Sequence, residues 1–307
     1  MKASKRVMLL IASVLTVFGA AIVIIVLSMN GFDLNKFDAA DVVAEEIDIR
    51  DEFESVVIDK LKCDVTVSAT DSGISGVFYR GSNRFAPTAS VDEDFNLVVE
   101  HDDRDSGFNI SKIFNILPSS NELTIYISEA YYDELKIDIL GGDINISGGF
   151  SFESVDVKTL SGDITVTSPE TKAISVETNS GSVSMNGVNC EDFRAVCDSG
   201  EIYILNSDAE NKAEIISDSG SISLMDFDAG EFSMKSESGD ISFISCDADK
   251  LTIISDSGDI EGTLRSEKKF KAVSDSGYVN VPSGKSGGEC TVKTNSGDIL
   301  ISLSERE

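Results

Sequence analysis

Asp256-Ser257-Gly258-Asp259-Ile260 is one copy of a short motif that occurs nine times in this chain of 307 residues. A period this regular over half the chain is typical of repeat proteins, in which each unit packs on its neighbours. The architecture of the chain therefore depends on what one repeat folds into. The motif glycines are 19 or 20 residues apart, at Gly142, Gly162, Gly181, Gly200, Gly220, Gly239, Gly258, Gly277 and Gly297.

The residues on both sides of each glycine alternate with period two. The second residue after it is β-branched in every copy, and the fourth is apolar in all copies except Gly262. The seventh and fifth residues before it are apolar, and the third is usually a hydroxyl residue or, once, Cys197. This alternation predicts a strand, a tight Ser-Gly bend and a second strand, each with one buried face. A variable polar loop would then lead to the next unit.

Stacking such units would place equivalent residues above one another, about 4.8 Å apart, in buried ladders. The sequence therefore predicts an all-β, single-chain β-solenoid with coils of 19–20 residues. Burying each Ile or Leu contributes about 1.5–3 kcal/mol, so nine coils need neither metal nor disulfide. Glycine at the bend suits a positive φ or a close approach between coils. Hairpins of a β-sandwich are the alternative, which the strict ladders disfavour.

The N-terminal region predicts a membrane anchor. Residues 1–6 carry three basic residues, and residues 7–28 form an uncharged run long enough to span a bilayer as a helix. Basic residues before the run predict a cytoplasmic N-terminus and an extracellular bulk. A signal peptide cleaved near Gly19-Ala20-Ala21 is the competing interpretation. Residues 29–45 would be a linker to the external part.

Two regions follow the linker. Residues 46–134 predict irregular β coils that close the N-terminal end of the stack, with Cys63 at a glycine position. Residues 135–304 predict the regular solenoid. Because little sequence follows the ninth motif, we expect charged Glu305, Arg306 and Glu307 to discourage strand pairing at that end.

Charge excludes several classes of ligand. All 54 acidic residues follow residue 28, against 22 basic ones, which leaves the external part near −32. Such a surface argues against nucleic acids and phospholipid head groups as direct ligands. A direct partner would be neutral or basic, or bridged by divalent cations.

The repeated acidic residues beside the bend allow three interpretations. They are expected to cap the bend through their own side chains, to bind Ca²⁺ along a row, or to supply the acid/base pair of a glycosidase. Bend chemistry is favoured, because an active site needs unique residues. The two rows are Asp198, Asp218, Glu237, Asp256 and Asp275 before the glycine, and Asp143, Asp163, Glu201, Asp240, Asp259 and Asp298 after it.

No catalytic, cofactor-binding or metal-binding residue is predicted, and no cofactor. His101 is the only histidine, and its polar neighbours predict a solvated loop. Among five cysteines, Cys197 and Cys290 fall in inward rows and are expected to be free thiols. Cys190 and Cys246 are expected in variable loops, too far apart for a disulfide.

The basic N-terminus, one apolar run, irregular β region and Ser-Gly-Asp-Ile repeats resemble the bacterial "putative adhesin" domain of unknown function, which LiaG-like envelope proteins carry. The resemblance covers about residues 46–303, and Leu123 to Ile127 followed by Leu135 to Ile144 is similar to the start of the family's repeats. It implies a membrane-anchored envelope protein and no catalytic residues.

We therefore expect a non-catalytic, envelope-associated binding or adhesion module, contacting a cell-wall component, a glycan or another protein through loops that differ between coils. A glycan-acting β-solenoid enzyme and a passive spacer are the alternatives. No nucleic acid is expected as partner, and the sequence does not define an oligomeric state.

Overall fold

The computed structural model describes residues 42–101, 121–128 and 131–304, and this part of the chain is all-β. Its one helical segment is the 3₁₀ turn Asn83–Phe85. None of its helices is long and apolar enough to cross a membrane. The predicted anchor, residues 7–28, lies outside the described residues.

The strands are β1 (Val42–Ile49), β2 (Ser55–Lys62), β3 (Asp64–Thr70), β4 (Ser75–Ser82), β5 (Pro87–Val91), β6 (Asn96–His101), β7 (Glu122–Ser128), β8 (Tyr131–Gly141), β9 (Ile144–Ile146), β10 (Ser151–Ser161), β11 (Ile164–Thr167), β12 (Glu170–Ser180), β13 (Val183–Asn186), β14 (Asn189–Ser199), β15 (Ile202–Ser217), β16 (Ile222–Ser236), β17 (Ile241–Ser255), β18 (Ile260–Leu264), β19 (Lys268–Ser274), β20 (Val279–Asn280), β21 (Gly288–Thr294) and β22 (Ile299–Leu303).

Each coil contributes one strand to each of two long parallel stacks, which confirms the predicted β-solenoid. The first sheet contains the strands before the bends and runs β8, β10, β12, β14, β15, β16, β17. The second sheet contains the strands after the bends and runs β9, β11, β13, β15, β16, β17, β18. Strands β15, β16 and β17 belong to both, because pairing between coils continues on both sides of the corner that joins the two sheets.

The predicted variable loops are wrong for the middle coils, where the segment between the sheets also pairs in register. Cys190 pairs with Ala209, Ala209 with Ala229, and Ala229 with Ala248. We call this the third ladder. A residue with positive φ precedes it in each coil, for example Asn206 with φ 46° and Ser245 with φ 53°. The left-handed residue turns the chain at this corner.

The core follows the predicted rows. The β-branched residues after the glycine are buried in every coil except that of Gly277. The inward rows before the glycine are buried with the same exception, where Phe270 and Ala272 remain half-buried. Because a coil is covered by a coil on each side, incomplete burial marks the Gly277 coil as the end of the stack.

The order of the last coils differs from their order in the chain. Strand β21 pairs with both β17 and β19, and β22 pairs with both β18 and β20. The last repeat therefore lies between the Gly258 coil and the Gly277 coil. The N-terminal end has the same arrangement, since β2 lies between β6 and β8 and β3 between β7 and β9.

The two ends of the stack are built differently. At the N-terminal end, β5 pairs antiparallel with β6, and β4 pairs antiparallel with β7 and β1. At the C-terminal end, β19 and β20 have a partner on one side only among the described residues. Glu305, Arg306 and Glu307, which were expected to discourage strand pairing, lie outside the described residues, and the coil at this end is that of Gly277.

Candidate binding surface

The bend glycines are required by close packing of one coil on the next. A Cβ on Gly258 would lie 2.1 Å from the carbonyl oxygen of Gly239, and one on Gly239 2.0 Å from that of Gly220. Real Cβ atoms do not approach backbone oxygens this closely. Positive φ is an additional requirement only in the earlier coils, for example 127° at Gly142. Cys63 occupies the glycine position of the preceding coil in the stack, since a Cβ on Gly142 would lie 2.1 Å from its carbonyl oxygen.

The hydroxyl row changes its hydrogen bonds along the stack. In later coils the hydroxyl three residues before the glycine accepts from the glycine N–H, at 2.9 Å for Ser236 with Gly239 and for Ser255 with Gly258. In the earlier coils the N–H of Gly162 donates instead to the carbonyl of Ser180 in the next coil, at 2.9 Å. Both arrangements satisfy a buried donor at the bend.

The acidic residues after the glycine join neighbouring coils. The carboxylate of Asp143 accepts from the backbone N–H of Asp163 at 2.9 Å, and that of Asp240 accepts from Asp259 at 2.9 Å. From Asp64 to Tyr278 most neighbouring coils repeat this bond, with the Ser182 hydroxyl as the acceptor in one of them. Among the described side chains it is missing on both sides of Ser221, between Glu201 and Asp240. These side chains therefore have a structural role at the bend, although the bond crosses to the next coil and does not cap its own bend.

A further row of acidic residues, distinct from the two rows beside the bend, lies on the third ladder. Asp208 pairs with Asp228 and Asp228 with Asp247 in register. Arg265 contacts Asp228, and the buried Lys268 contacts Asp247. Asp208 is largely exposed, but partial burial of its carboxyl group raises its pKa. The charge of Asp228 also raises this pKa, and Arg265 opposes both effects.

The Asp247 carboxylate is the best-coordinated member of this row. It accepts from Ser266 Oγ at 3.0 Å and from the Ala248 N–H at 2.9 Å, and it contacts Lys268. Burial alone would raise the pKa of Asp247, but Lys268 and Ser266 outweigh it and the pKa is lowered. Two cations thus compensate much of the charge of this row.

The remaining chemistry is sparse. Within the described residues, no group of three His, Cys, Asp or Glu side chains is close enough to hold a metal ion. The solvated-loop prediction for His101 is wrong: the residue ends β6, is half-buried and pairs with Pro87, because β5 closes the sheet there. Its ring centroid lies 6.0 Å from that of Phe85.

All five cysteines are free and buried. This confirms the prediction for Cys197 and Cys290, whose side chains are both 0% exposed. The loop placement of Cys190 and Cys246 is wrong, because both point inward from the third ladder. Burial raises the pKa of Cys290 to about 12 and that of Cys197 to about 11, so neither thiol is ionised at neutral pH.

The outer face of the first sheet is densely charged. Its ions pair between neighbouring coils, with Lys172 Nζ 2.9 Å from the Glu153 carboxylate and Arg194 Nε 3.4 Å from that of Glu214. Short side chains leave a shallow groove of about 370 Å³ on this face, with Ser175 and Ala173 between charged neighbours. Uncharged outward residues such as Ser233, Thr252 and Ile254 are interspersed with charged ones on this side of the described coils.

The outer face of the second sheet is different, and we call it the uncharged face. It consists of two rows of seven outward residues on β9, β11, β13, β15, β16, β17 and β18. At the chain's 26% charged residues, about four of these fourteen would be charged by composition alone. Only Glu261 is. The rows are Asn145, Thr165, Ser184, Tyr203, Ser223, Ser242 and Glu261, and Ser147, Thr167, Asn186, Leu205, Met225, Ile244 and Thr263.

The uncharged face has a polar half and an apolar half. Hydroxyl and amide side chains occupy the earlier coils, while Leu205, Met225 and Ile244 follow one another in register on the later ones. Met225 is 41% exposed, Ile244 50% and nearby Tyr203 48%. Such a flat surface can hydrogen-bond an extended neutral ligand and stack against its apolar parts.

Sequence reasoning missed this face, although the signal was present. The third and fifth residues after each glycine are recognisable as outward positions by the same alternation that identified the core. Their lack of charge becomes informative only when they are compared with the outward positions before the glycine.

Several solved structures are similar to this chain at low sequence identity. The solved structure of a "putative adhesin" from Parabacteroides distasonis is 12% identical, covers 83% of this chain and 98% of its own, and has a TM-score of 0.50. A "putative adhesin" from Bacteroides fragilis is 14% identical, with coverages of 85% and 97% and a TM-score of 0.43. A "putative lipid binding protein" from Parabacteroides distasonis is 15% identical, with coverages of 85% and 96% and a TM-score of 0.40.

These likenesses concern the fold, and no curated protein matches the sequence. The family model Toastrack DUF4097, in contrast, matches residues 53–230 and 191–307, which together include nearly all of the solenoid. This agrees with the family resemblance of the repeats. The chain therefore belongs to the Toastrack DUF4097 family.

Proposed function

We propose that this protein is a non-catalytic binding module of the cell envelope and that its ligand lies on the uncharged face. The observation that carries the proposal is that only one of fourteen outward residues, Glu261, is charged on this face of a protein with net charge −29. Solubility would favour charge on every exposed row. A neutral face is expected where a ligand or partner removes water from the surface.

The chemistry of the face suits an extended, neutral ligand such as an uncharged glycan. Hydroxyl and amide groups repeat at the coil spacing of about 4.8 Å, which allows one ligand to contact several coils. Tyr203 supplies an aromatic ring and Met225 an apolar contact. The sequence predicted that the ligand contacts the variable segments between the sheets. We place the contact on the second sheet instead, because in the middle coils part of each such segment is buried in the third ladder.

Attachment to the membrane by residues 7–28, with the solenoid outside, is part of the proposal and rests on the length and flanking charge of that run. Protease added to intact, wall-stripped cells should degrade the solenoid. Full protection, or a mature N-terminus near Ile22, would contradict it.

Adding negative charge to the uncharged face tests whether this face binds the ligand. The full-length chain is mixed with purified wall polysaccharide and with peptidoglycan sacculi, and the bound fraction is measured by sedimentation. The variant Thr165→Asp/Ser184→Asp, on the uncharged face, should bind at least about tenfold more weakly because both carboxylates must be desolvated.

A matched control adds the same charge to the first sheet. Ser154→Asp/Ser175→Asp changes two half-buried residues of neighbouring coils. It should bind like the unmodified protein. Equal losses for the two double variants would show a general charge effect and would contradict the uncharged face as the contact surface.

The glycan-acting enzyme remains as a second candidate because of one observation. Asp208, whose pKa is raised, lies beside Asp228, which Arg265 contacts, and glycosidases use two carboxyl groups with unlike environments. Incubation with the same polysaccharides should release no reducing ends. Release that is lost in Asp208→Asn would replace the binding module with the enzyme.

A further inference from the structure

The C-terminal end of the solenoid is an open sheet edge. Strand β19 is hydrogen-bonded to β21 on one side and has no strand on its other side within the described residues. At the opposite end of the stack, antiparallel strands cover the coils. The unpaired backbone groups of β19 are therefore available to another extended chain.

The interior of the end coil is also incompletely covered. Phe270, Ala272, Val279 and Val281 occupy inward rows that are fully buried in the other coils, yet all four remain half-buried here. A strand placed beside β19 would cover Phe270 and Ala272 with its own inward residues. On the first sheet, the missing cover is thus the size of one further strand.

The charge of this end is opposite to that of the protein. Residues 265–293 hold six basic and three acidic residues, whereas the whole chain has a net charge of −29. Arg265 and Lys268 pair with Asp228 and Asp247, and the other four basic residues are lysines. Lys269 and Lys271 lie on the outward face of β19, both exposed. Neither has a carboxylate within 4.0 Å among the described side chains, in contrast with the paired lysines of the first sheet.

We propose that the C-terminal end binds an acidic extended segment of another protein, which adds to the first sheet as a strand beside β19. Acidic residues of that segment would face Lys269 and Lys271, and apolar residues alternating with them would cover Phe270 and Ala272. Opposite charges on neighbouring strands stabilise the pairing. The proposal concerns a different surface from the uncharged face and does not depend on it.

Lysines on an edge strand also have a protective function, since they discourage pairing with other edges. Edge protection alone does not require that this end bind a complementary chain. Edge protection and binding of an acidic strand therefore predict different results with a peptide of known sequence. The probe is a fluorescent peptide of about nine residues that alternates Glu and Val. Its anisotropy is measured with the full-length chain in mild detergent.

The peptide should bind the unmodified chain despite the net repulsion, and a Lys-Val peptide should not. Lys269→Glu/Lys271→Glu should weaken binding about tenfold. The control Lys136→Glu/Lys158→Glu reverses two exposed lysines of β8 and β10, which have partners on both sides, and should leave binding unchanged. A Glu-Val peptide N-methylated at the residues facing β19 keeps its charges but cannot pair, and should bind about tenfold more weakly.

Four results would overturn the proposal. They are absence of Glu-Val binding, equal effects of the two double variants, equal binding of the N-methylated peptide, and self-association of the chain that Lys269→Glu/Lys271→Glu dissolves. The last result would identify a second copy of the chain as the occupant.

Discussion

The inward direction of the row after the glycines can be tested by two separate substitutions, one of a buried residue and one of the outward residue that precedes it. Ile241 is fully buried and pairs with Ile222 on one side and Ile260 on the other. Asp240, the preceding residue, is exposed, and its carboxylate accepts one hydrogen bond from Asp259 N–H at 2.9 Å. Ile241 therefore faces the core, whereas Asp240, one residue earlier, faces solvent.

The expected magnitudes follow from these environments. Ile241→Asp loses about 1.5–3 kcal/mol of burial and adds several kcal/mol for a desolvated carboxyl group, about 5 kcal/mol in all. Losses of that size approach the whole stability of a domain. Asp240→Asn keeps an oxygen that accepts from Asp259, so its cost should be about 0.5 kcal/mol or less.

The free energy of unfolding is measured from urea titrations followed by circular dichroism, with comparison of midpoints and slopes. Because coils stabilise their neighbours, hydrogen exchange should show the largest loss of protection in β16, β17 and β18. Equal losses for Ile241→Asp and Asp240→Asn would refute the inward register of this row.

Three further predictions follow from single contacts. A thiol reagent should label Cys197 and Cys290 only after denaturant is added, and rapid labelling of the native protein would contradict their burial. Gly258→Ala should cost about 2 kcal/mol or more because its Cβ meets a backbone oxygen, and an unchanged urea midpoint would argue against the close approach. The lowered pKa of Asp247 stabilises the fold above the unfolded-state pKa, and this contribution is lost as pH falls through the folded-state value. Lys268→Met should reduce the loss of stability below about pH 4, the ordinary pKa of Asp, and an unchanged pH dependence would contradict the pair.

The regular coils were predictable from the sequence because their information is local. Alternation within ten residues of each glycine identified inward residues such as Ile241 and Cys290, and both are buried as expected. The third ladder was missed because its inward residues are chemically mixed, for example Phe227, Cys246 and Ala248. Without a shared side-chain type, such a row does not differ visibly from a loop.

The coil order was not predictable, for a different physical reason. Nearly identical motifs can stack on one another in any order, so the repeat does not encode which coil is next. The segment between β20 and β21 contains Pro282 and two glycines, which permit the return that places the Gly297 coil between the Gly258 and Gly277 coils. The candidate face and the basic end both depended on the three-dimensional arrangement, since each collects residues from separate repeats.

The first described strand and the two proposed surfaces have a defined order along the solenoid. From β7 to β20 the second sheet contains eleven strands, so the C-terminal end lies about 48 Å from the first of these coils. The described chain begins at β1, at the opposite end of the stack. If residues 7–28 hold this end at the membrane, the basic end is the part of the solenoid farthest along the stack from it. The uncharged face then extends between the two, where an extended ligand can contact several coils while the basic end remains accessible to an acidic strand.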